Sequence, residues 1–497
     1  MKRFSTGRIV AALAVTFLIP AVGTPAHAQL DKKLQNLQQA IVRLYDGHAV
    51  TLRECIEVAK AGSATLGVYE EDVAAARSEK STAKAEWLPD LTASASWQRS
   101  ERKDFDVDDF SQFQIVAGAP VFFVDQDGNF LQQLEINGQQ AFQPQAVPLA
   151  KTDQITYQTF SSVSLRSNWT LFDGFQRVSA IKAASAALRA SQANLEYQEK
   201  VLVQDVSEAF YNVLRAQKQA EVAQETEKVA EEELKRSQTY FDVGIATRSD
   251  VLQAQVRYKQ TQLDTVRARN NERQAFVLLT HLMNIPGAER FKLAFDLPAD
   301  ISTAEIPDLR TLLEEARAQR LDLVSAKENL QASGYRITQA RAGYWPQFSI
   351  FGSASYSRSD TPFRFGAQVN RQFGWGAQVS WRLFDRFVTR NQARQALAAK
   401  RRAEYNLRQS ELVMESELSG FLNNLTEAKE SFIVARETVD QAEEDLRLAT
   451  ERFKVGAGTS LDVINAQKSL AQAKVDAVNA VADFYIAKAK IDRARGL

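Results

Sequence analysis

YFDVGIATRSDVLQAQ (Tyr240–Gln255) and RFKVGAGTSLDVINAQ (Arg452–Gln467) agree at Phe, Val, Gly, Thr, Asp, Val, Ala and Gln, in register, 212 residues apart. Gly244 and Gly456 fall where an incoming helix would stop, since glycine suits the left-handed position beyond a helix C-terminus. Thr247-x-x-Asp250 and Thr459-x-x-Asp462 have the spacing of a capping box that starts the next helix. Each stretch therefore reads as a tight turn between two antiparallel helices. One chain carries that turn twice.

The duplication extends outward from the turn. WTLFDGF (Trp169–Phe175) matches WRLFDRF (Trp381–Phe387), again 212 residues apart, and Glu225-Thr226 and Ala230-Glu231-Glu232 recur as Glu437-Thr438 and Ala442-Glu443-Glu444. Upstream, WLPDLTASASW from Trp87 resembles YWPQFSIFGSASY from Tyr344 at an offset of 257, so the first half holds about 45 extra residues. A repeat of this kind marks one architectural unit used twice. The expected segments are 51–296 and 297–497, each with a helical stretch, a strand pair, a long helix, the turn and a return helix.

Residues 175–243 hold no Pro and, after Gly174, no Gly, and they are rich in Ala, Gln, Glu and Lys. Such a composition favours helix, and at 1.5 Å per residue the helix would be roughly 100 Å long. Val206, Ala209, Phe210, Val213 and Leu214 make a stripe at helical spacing. The return helix is expected at about 247–284, and its twins at about 386–455 and 459–495. A helical stretch at about 51–86 precedes the first strand. The many acids on the long helices read as a solvated face.

The extended segments alternate with period two. They are expected at about 88–101, 158–173, 345–357 and 371–385. Val163, Leu165, Trp169 and Leu171 share one face, with Ser162, Ser164, Arg166, Asn168 and Thr170 on the other. In the second copy Trp375, Ala377, Val379, Trp381 and Leu383 take the apolar face, against Gln378, Ser380 and Arg382. All six tryptophans (Trp87, Trp97, Trp169, Trp345, Trp375 and Trp381) lie in these strands or at their edges. Aromatics flanking an apolar band suit a membrane barrel. Four strands are too few to close one alone, and three chains would supply twelve.

Lys2, Arg3 and Arg8, the apolar run Ile9–Val22 and AHA ending at Ala28 have the layout of a secretory signal, 1–28. Residues 29–50 follow as an amphipathic stretch with Leu30, Leu34, Leu37 and Ile41 at helical spacing. The 61 basic and 61 acidic residues balance, which gives nucleic acid no purchase. Cys55 is the only cysteine and the three histidines are scattered, so no metal site, cofactor or catalytic constellation is expected. DQDGN (Asp125–Asn129) lacks calcium-loop spacing and reads as the turn of a VFFVDQDGNF hairpin, inside an acidic loop at about 101–157.

The tandem halves, the strand pairs ending in LFD and the twin VG-x-x-T-x-x-D turns together resemble the outer membrane efflux protein family of TolC-like channels, from about residue 51 onward. The resemblance implies an α+β membrane protein. It would be a homotrimer with a twelve-stranded outer-membrane β-barrel, four strands per chain, continuous with a long periplasmic α-helical barrel. It implies an exit duct of a tripartite efflux or type I secretion system, set in outer-membrane lipid. Its partners would be a periplasmic adaptor (membrane fusion protein) and an inner-membrane transporter. Adaptor docking would fall on Val243, Gly244, Ile245, Ala246 and Thr247, and on Val455, Gly456, Ala457, Gly458 and Thr459. The periplasmic gate would use Asp462 and Asp250. Where the family pattern places a further acid, this chain has Asn465. The competing reading is a periplasmic coiled-coil adaptor or scaffold, which would carry one hairpin instead of two.

Overall fold

A computed structural model describes residues 49–103, 155–244, 246–285, 291–294, 301–360, 368–455 and 457–496, with four short strands between Asn129 and Ala146. The expected signal and the stretch at 29–48 lie outside the described residues, as do Ile245 and Gly456. The chain forms two compact units, one of residues 1–83, 178–340 and 391–497, the other of 84–177 and 341–390.

The first unit is helical. Helix α1 (Leu52–Gly62) and α2 (Ala64–Ala85) precede α3 (Gln176–Asp242) and α4 (Arg248–Leu282). Their counterparts are α5 (Leu309–Gln319), α6 (Leu321–Arg341), α7 (Val388–Lys454) and α8 (Ser460–Arg495). Helices α3 and α7 are both 67 residues long, about 100 Å each. The helical stretch expected at 51–86 is two helices, not one. Ser63 is extended at φ −65°, ψ 113°, and Arg320, its twin at offset 257, is extended at φ −67°, ψ 118°. Each break supplies a new cap: Ser63 Oγ accepts from Leu66 N, and Asp322 Oδ1 accepts from Leu323 N. Orphan donors at a helix start need such acceptors.

The repeat also governs the core. Val206, Ala209, Phe210, Val213 and Leu214 of α3 are buried with Val58 of α1 and Leu279 of α4. Met414, Leu418, Leu425, Ala428 and Phe432 of α7 are buried with Leu312 of α5 and Phe484 of α8. The first core takes in Val50, whose backbone bonds to Lys292 and Ala294 tie the start of the described chain to the segment after α4. Among the described residues no helix is long and apolar enough to cross a membrane.

The second unit is built on one antiparallel sheet of β1 (Asp90–Lys103), β2 (Ile155–Phe172), β3 (Gln347–Asp360) and β4 (Gln368–Ser380), in that order, with β1 and β4 as its edges. Of the expected VFFVDQDGNF hairpin only Asn129 and Phe130 are described, and they pair with Gln145–Ala146; the rest of it lies outside the described residues. Two details differ from simple alternation. The β2–β3 register shifts between Thr170 and Phe172, so Phe172, not Leu171, stands opposite Phe348. A bulge of this kind inserts one unpaired residue and swaps the faces beyond it. Strand β4 stops at Ser380, so Trp381 and Leu383 lie beyond it.

Candidate functional site

Two places in the fold carry the features singled out above: the paired turns and the faces of the sheet. At the first turn Gly244 is left-handed at φ 81°. Val243 N donates to Thr239 O, Gly244 N to Phe241 O and Ala246 N to Tyr240 O, which closes the end of α3. At the second, Val455 N donates to Glu451 O and Ala457 N to Arg452 O at 2.8 Å. Gly458 is not left-handed; a Cβ there would sit 3.2 Å from both Arg452 Cβ and Phe453 N. Space, not backbone angle, selects glycine at that position.

Both capping boxes are formed. Thr247 N and Oγ1 donate to Asp250 Oδ2 at 2.9 and 2.7 Å, and Asp250 N donates back to Thr247 Oγ1 at 3.3 Å. Thr459 N and Oγ1 donate to Asp462 Oδ2 at 2.8 Å each, and Asp462 N donates back at 3.2 Å. The Thr459 N–H, then its hydroxyl, hold the Asp462 carboxyl below the usual carboxylate range, with Arg452 adding to the effect. The two expected gate acids are thus also the residues that start the return helices. Asn465 is exposed on α8.

The two hairpins meet near their tips, where the Tyr240 and Phe453 rings lie 6.3 Å apart. Val463 and Ala466 are buried against Ala449. Further along, Lys474 of α8 reaches Glu225 of α3 at 3.5 Å and Glu443 of α7 at 3.7 Å. Val243 and Val455 remain exposed at the turns, at 64% and 77%.

Not every acid on the long helices is solvated. Glu233 of α3 is buried, paired with Arg236 at 3.2 Å, and burial pushes its carboxyl up. Ser237, one turn on, is buried as well. Spacing on a helix gave no sign of this, because Glu233 looks inward only through what packs on α3.

The sheet separates its two faces. On one, the rows read Leu91–Ser167–Gly352–Trp375, Ala93–Leu165–Ala354–Phe373, Ala95–Val163–Tyr356–Arg371 and Trp97–Ser161–Arg358–Val369. Trp169, Ile350 and Ala377 extend this face. The other face carries Ser94 and Ser96, hydrogen-bonded at 2.8 Å to Ser164 and Ser162, then Ser355, Ser357, Asn370 and Gln372. Among the described residues nothing covers the apolar face: Trp97, Phe373 and Trp375 are each more than 70% exposed.

The tryptophans fall into three settings. Trp97, Trp169 and Trp375 lie on the apolar face; Trp87 and Trp345 lie just before β1 and β3; Trp381 follows β4. A contact that the sequence did not suggest recurs in both repeats. Trp169 Nε1 donates to Trp87 O at 2.9 Å, and Trp381 Nε1 donates to Tyr344 O at 3.2 Å, between positions matched by the two offsets. The LFD motif is equally paired. Asp173 Oδ2 accepts from Arg177 N and Nε, and Asp385 Oδ2 accepts from Thr389 N at 2.7 Å. Between strand and helix, Gly174 and Phe175 in one copy and Arg386 and Phe387 in the other are left-handed.

Comparison with known proteins agrees with this geometry. The chain matches the outer membrane efflux protein family over residues 55–284 and 312–497. It is 24% identical over 327 residues to the outer membrane protein TolC of Vibrio cholerae, covering 65% of this chain and 74% of that one. It is 25% identical over 346 residues to the alkaline protease secretion protein AprF of Pseudomonas aeruginosa, covering 67% and 68%. Among solved structures, the outer-membrane channel OprN superposes with a TM-score of 0.70 at 19% identity, over 90% of this chain and 89% of that one. VceC of Vibrio cholerae superposes at 0.67 and 17% identity, over 90% and 96%.

Proposed function

The chain belongs to the outer membrane efflux protein family, and from that premise we propose that it is the outer-membrane exit duct of a tripartite efflux or type I secretion system. The observation that carries this reading is a four-stranded sheet with one exposed apolar face and two open edges, in a chain that also holds two long helical hairpins. In hydrocarbon an open edge leaves backbone N–H and C=O groups without partners, so the sheet must close. Edge β1 of one copy would pair with edge β4 of the next, and three copies make a twelve-stranded barrel. The serine-rich face then lines the lumen, and the apolar face meets outer-membrane lipid.

The helices supply the periplasmic conduit, and the six turns of a trimer supply its entrance. Exposed Val243 and Val455, with Gly244–Thr247 and Gly456–Thr459, form the surface for a periplasmic adaptor, which joins the duct to an inner-membrane transporter. Asp462 and Asp250, with Asn465 beside them, form the gate. The duct conducts passively and performs no catalytic step. An adaptor or scaffold without a barrel is the competing reading, and it leaves the apolar face of the sheet without a role.

Fractionation tests the choice. The exported protein is expected in outer membranes, extracted only by detergent, with a protein mass about three times the 55.5 kDa chain less any cleaved signal. Recovery as a monomer from the soluble periplasm overturns the duct.

A further inference from the structure

The polar face of the sheet is almost free of charge. From the row Thr170–Ser349–Gln378 to the row Gln98–Phe160–Ser359 it presents hydroxyls, amides, Phe and Gly, and two charged residues, Asp90 and Arg166. Asp90 spends Oδ1 on the backbone N–H of Asn168 at 2.6 Å and lies outside ion-pair distance of Arg166. Arg166 stands in the row Thr92–Arg166–Ser353–Gly374, among short side chains. It is exposed, and its side chain makes no hydrogen bond or ion pair among the described residues. At Gly374, in the same row, an added Cβ would meet only Ser353 Oγ, at 3.7 Å.

The repeat sharpens the point. The residue 212 positions on is Gln378, on the same polar face of β4. The two copies share the strand, the face and a long polar side chain there, and differ by one charge. Packing therefore does not require arginine at this position.

We propose that Arg166 is an anion-selecting contact inside the barrel, an inference that rests on the duct reading. With three copies, three guanidinium groups stand at one level of a lumen lined in these rows mainly by hydroxyls and amides, with the Asp90 carboxylate of each copy one row away and bonded to Asn168 N. A guanidinium stays charged at any physiological pH and offers a planar fork of N–H donors. That fork matches carboxylate, phosphate or sulfate groups. A passing solute that bears such a group is held briefly at this level, and simple anions gain relative to cations. The effect opposes that of an acidic gate at the turns, so the net selectivity of the duct is the balance of two separate rings.

Reversal potentials in planar bilayers under a KCl gradient test this. Arg166→Gln, which gives the first copy the residue of the second, is expected to raise the K+/Cl− permeability ratio by roughly two-fold at about 10 mM ionic strength, where the Debye length is ~30 Å, and by little at 1 M, where it is ~3 Å. Arg166→Lys keeps the charge and should retain the wild-type ratio at low salt. Gln378→Arg adds a second ring on the same face, in the row of Thr170 and Ser349, and should shift the ratio toward chloride, which decides the matter if Arg166→Gln fails to assemble. Conducting channels whose ratio is unmoved by Arg166→Gln, or by Gln378→Arg in its place, overturn the anion contact and leave the duct standing. Wild-type protein that forms no channel overturns both.

Discussion

Asp462 has two demands on one carboxylate. Within the chain it accepts from Thr459 N and Oγ1, which holds its carboxyl below the usual range. A depressed carboxyl stabilises the fold above its unfolded pKa, ~3.9, and that contribution is lost as pH falls through the lower folded value. The capping box is therefore intact from pH 8 to pH 5. If three Asp462 carboxylates also gather at a closed entrance, their repulsion raises the pKa. Single-channel conductance separates the cases. Asp462→Ala should increase conductance and lower cation selectivity, and a wild-type conductance that changes between pH 7 and 5 should become flat in the variant. Unchanged conductance confines Asp462 to capping. Gly174 offers a second test. It is left-handed at φ 67°, and a Cβ would lie 2.7 Å from both Ala342 O and Trp345 Cβ. Gly174→Ala should destabilise by at least the ~1–2 kcal/mol of a left-handed side chain. Gly420→Ala, inside α7 with nothing within 4 Å, should stabilise by roughly 0.5–1 kcal/mol. Thermal melts of the detergent-solubilised protein would show opposite shifts.

At the scale of elements, the long helices were legible because their signal is local. A run without Pro or internal Gly, rich in helix formers and striped with apolar residues, has few competing structures. The stripe is energetic as well as descriptive: Phe210 of α3 is fully buried in the core that α3 shares with α1 and α4. Phe210→Ala should cost about 3–5 kcal/mol, measured as a lower unfolding midpoint in denaturant. The breaks were less legible. Ser63 follows a glycine, a weak signal, but Arg320 is an ordinary helix former. Its break coincides with burial of the guanidinium between Asp322 and Glu417, at 2.9 and 2.7 Å. A charge buried in this way needs both partners, and Glu417 comes from a different helix. Burial of Glu233 escaped the sequence for the same reason. Alternation predicted both faces of β2 up to Thr170 and failed at Leu171, because a bulge is set by what the neighbouring strand can pair with.

For the whole molecule, the decisive feature is a sheet that is incomplete by itself. The charges on its apolar face, Arg371 and Arg358, lie in the rows of Val163 and Ser161 toward one end, whereas an arginine at mid-depth in lipid costs about 2–4 kcal/mol. Leu165→Arg should therefore deplete trimers from outer-membrane fractions, whereas Ser355→Lys, on the polar face, should leave their amount near wild type. Equal loss in both would remove the assignment of faces to lipid and lumen. The sequence by itself determined the two hairpins, the capping boxes and the alternation of the strands, because each depends on residues within a few positions of one another, and the repeat, because those local patterns recur 212 residues on. The tertiary structure decided the rest. It placed Trp169 Nε1 on Trp87 O and its repeat twin on Tyr344 O, buried Glu233, set the bulge at Leu171, and brought Arg166 into a row of short neutral side chains. Those outcomes depend on segments far apart in the chain, and a side chain's solvation, unlike its helical or strand propensity, is fixed only when its distant neighbours arrive.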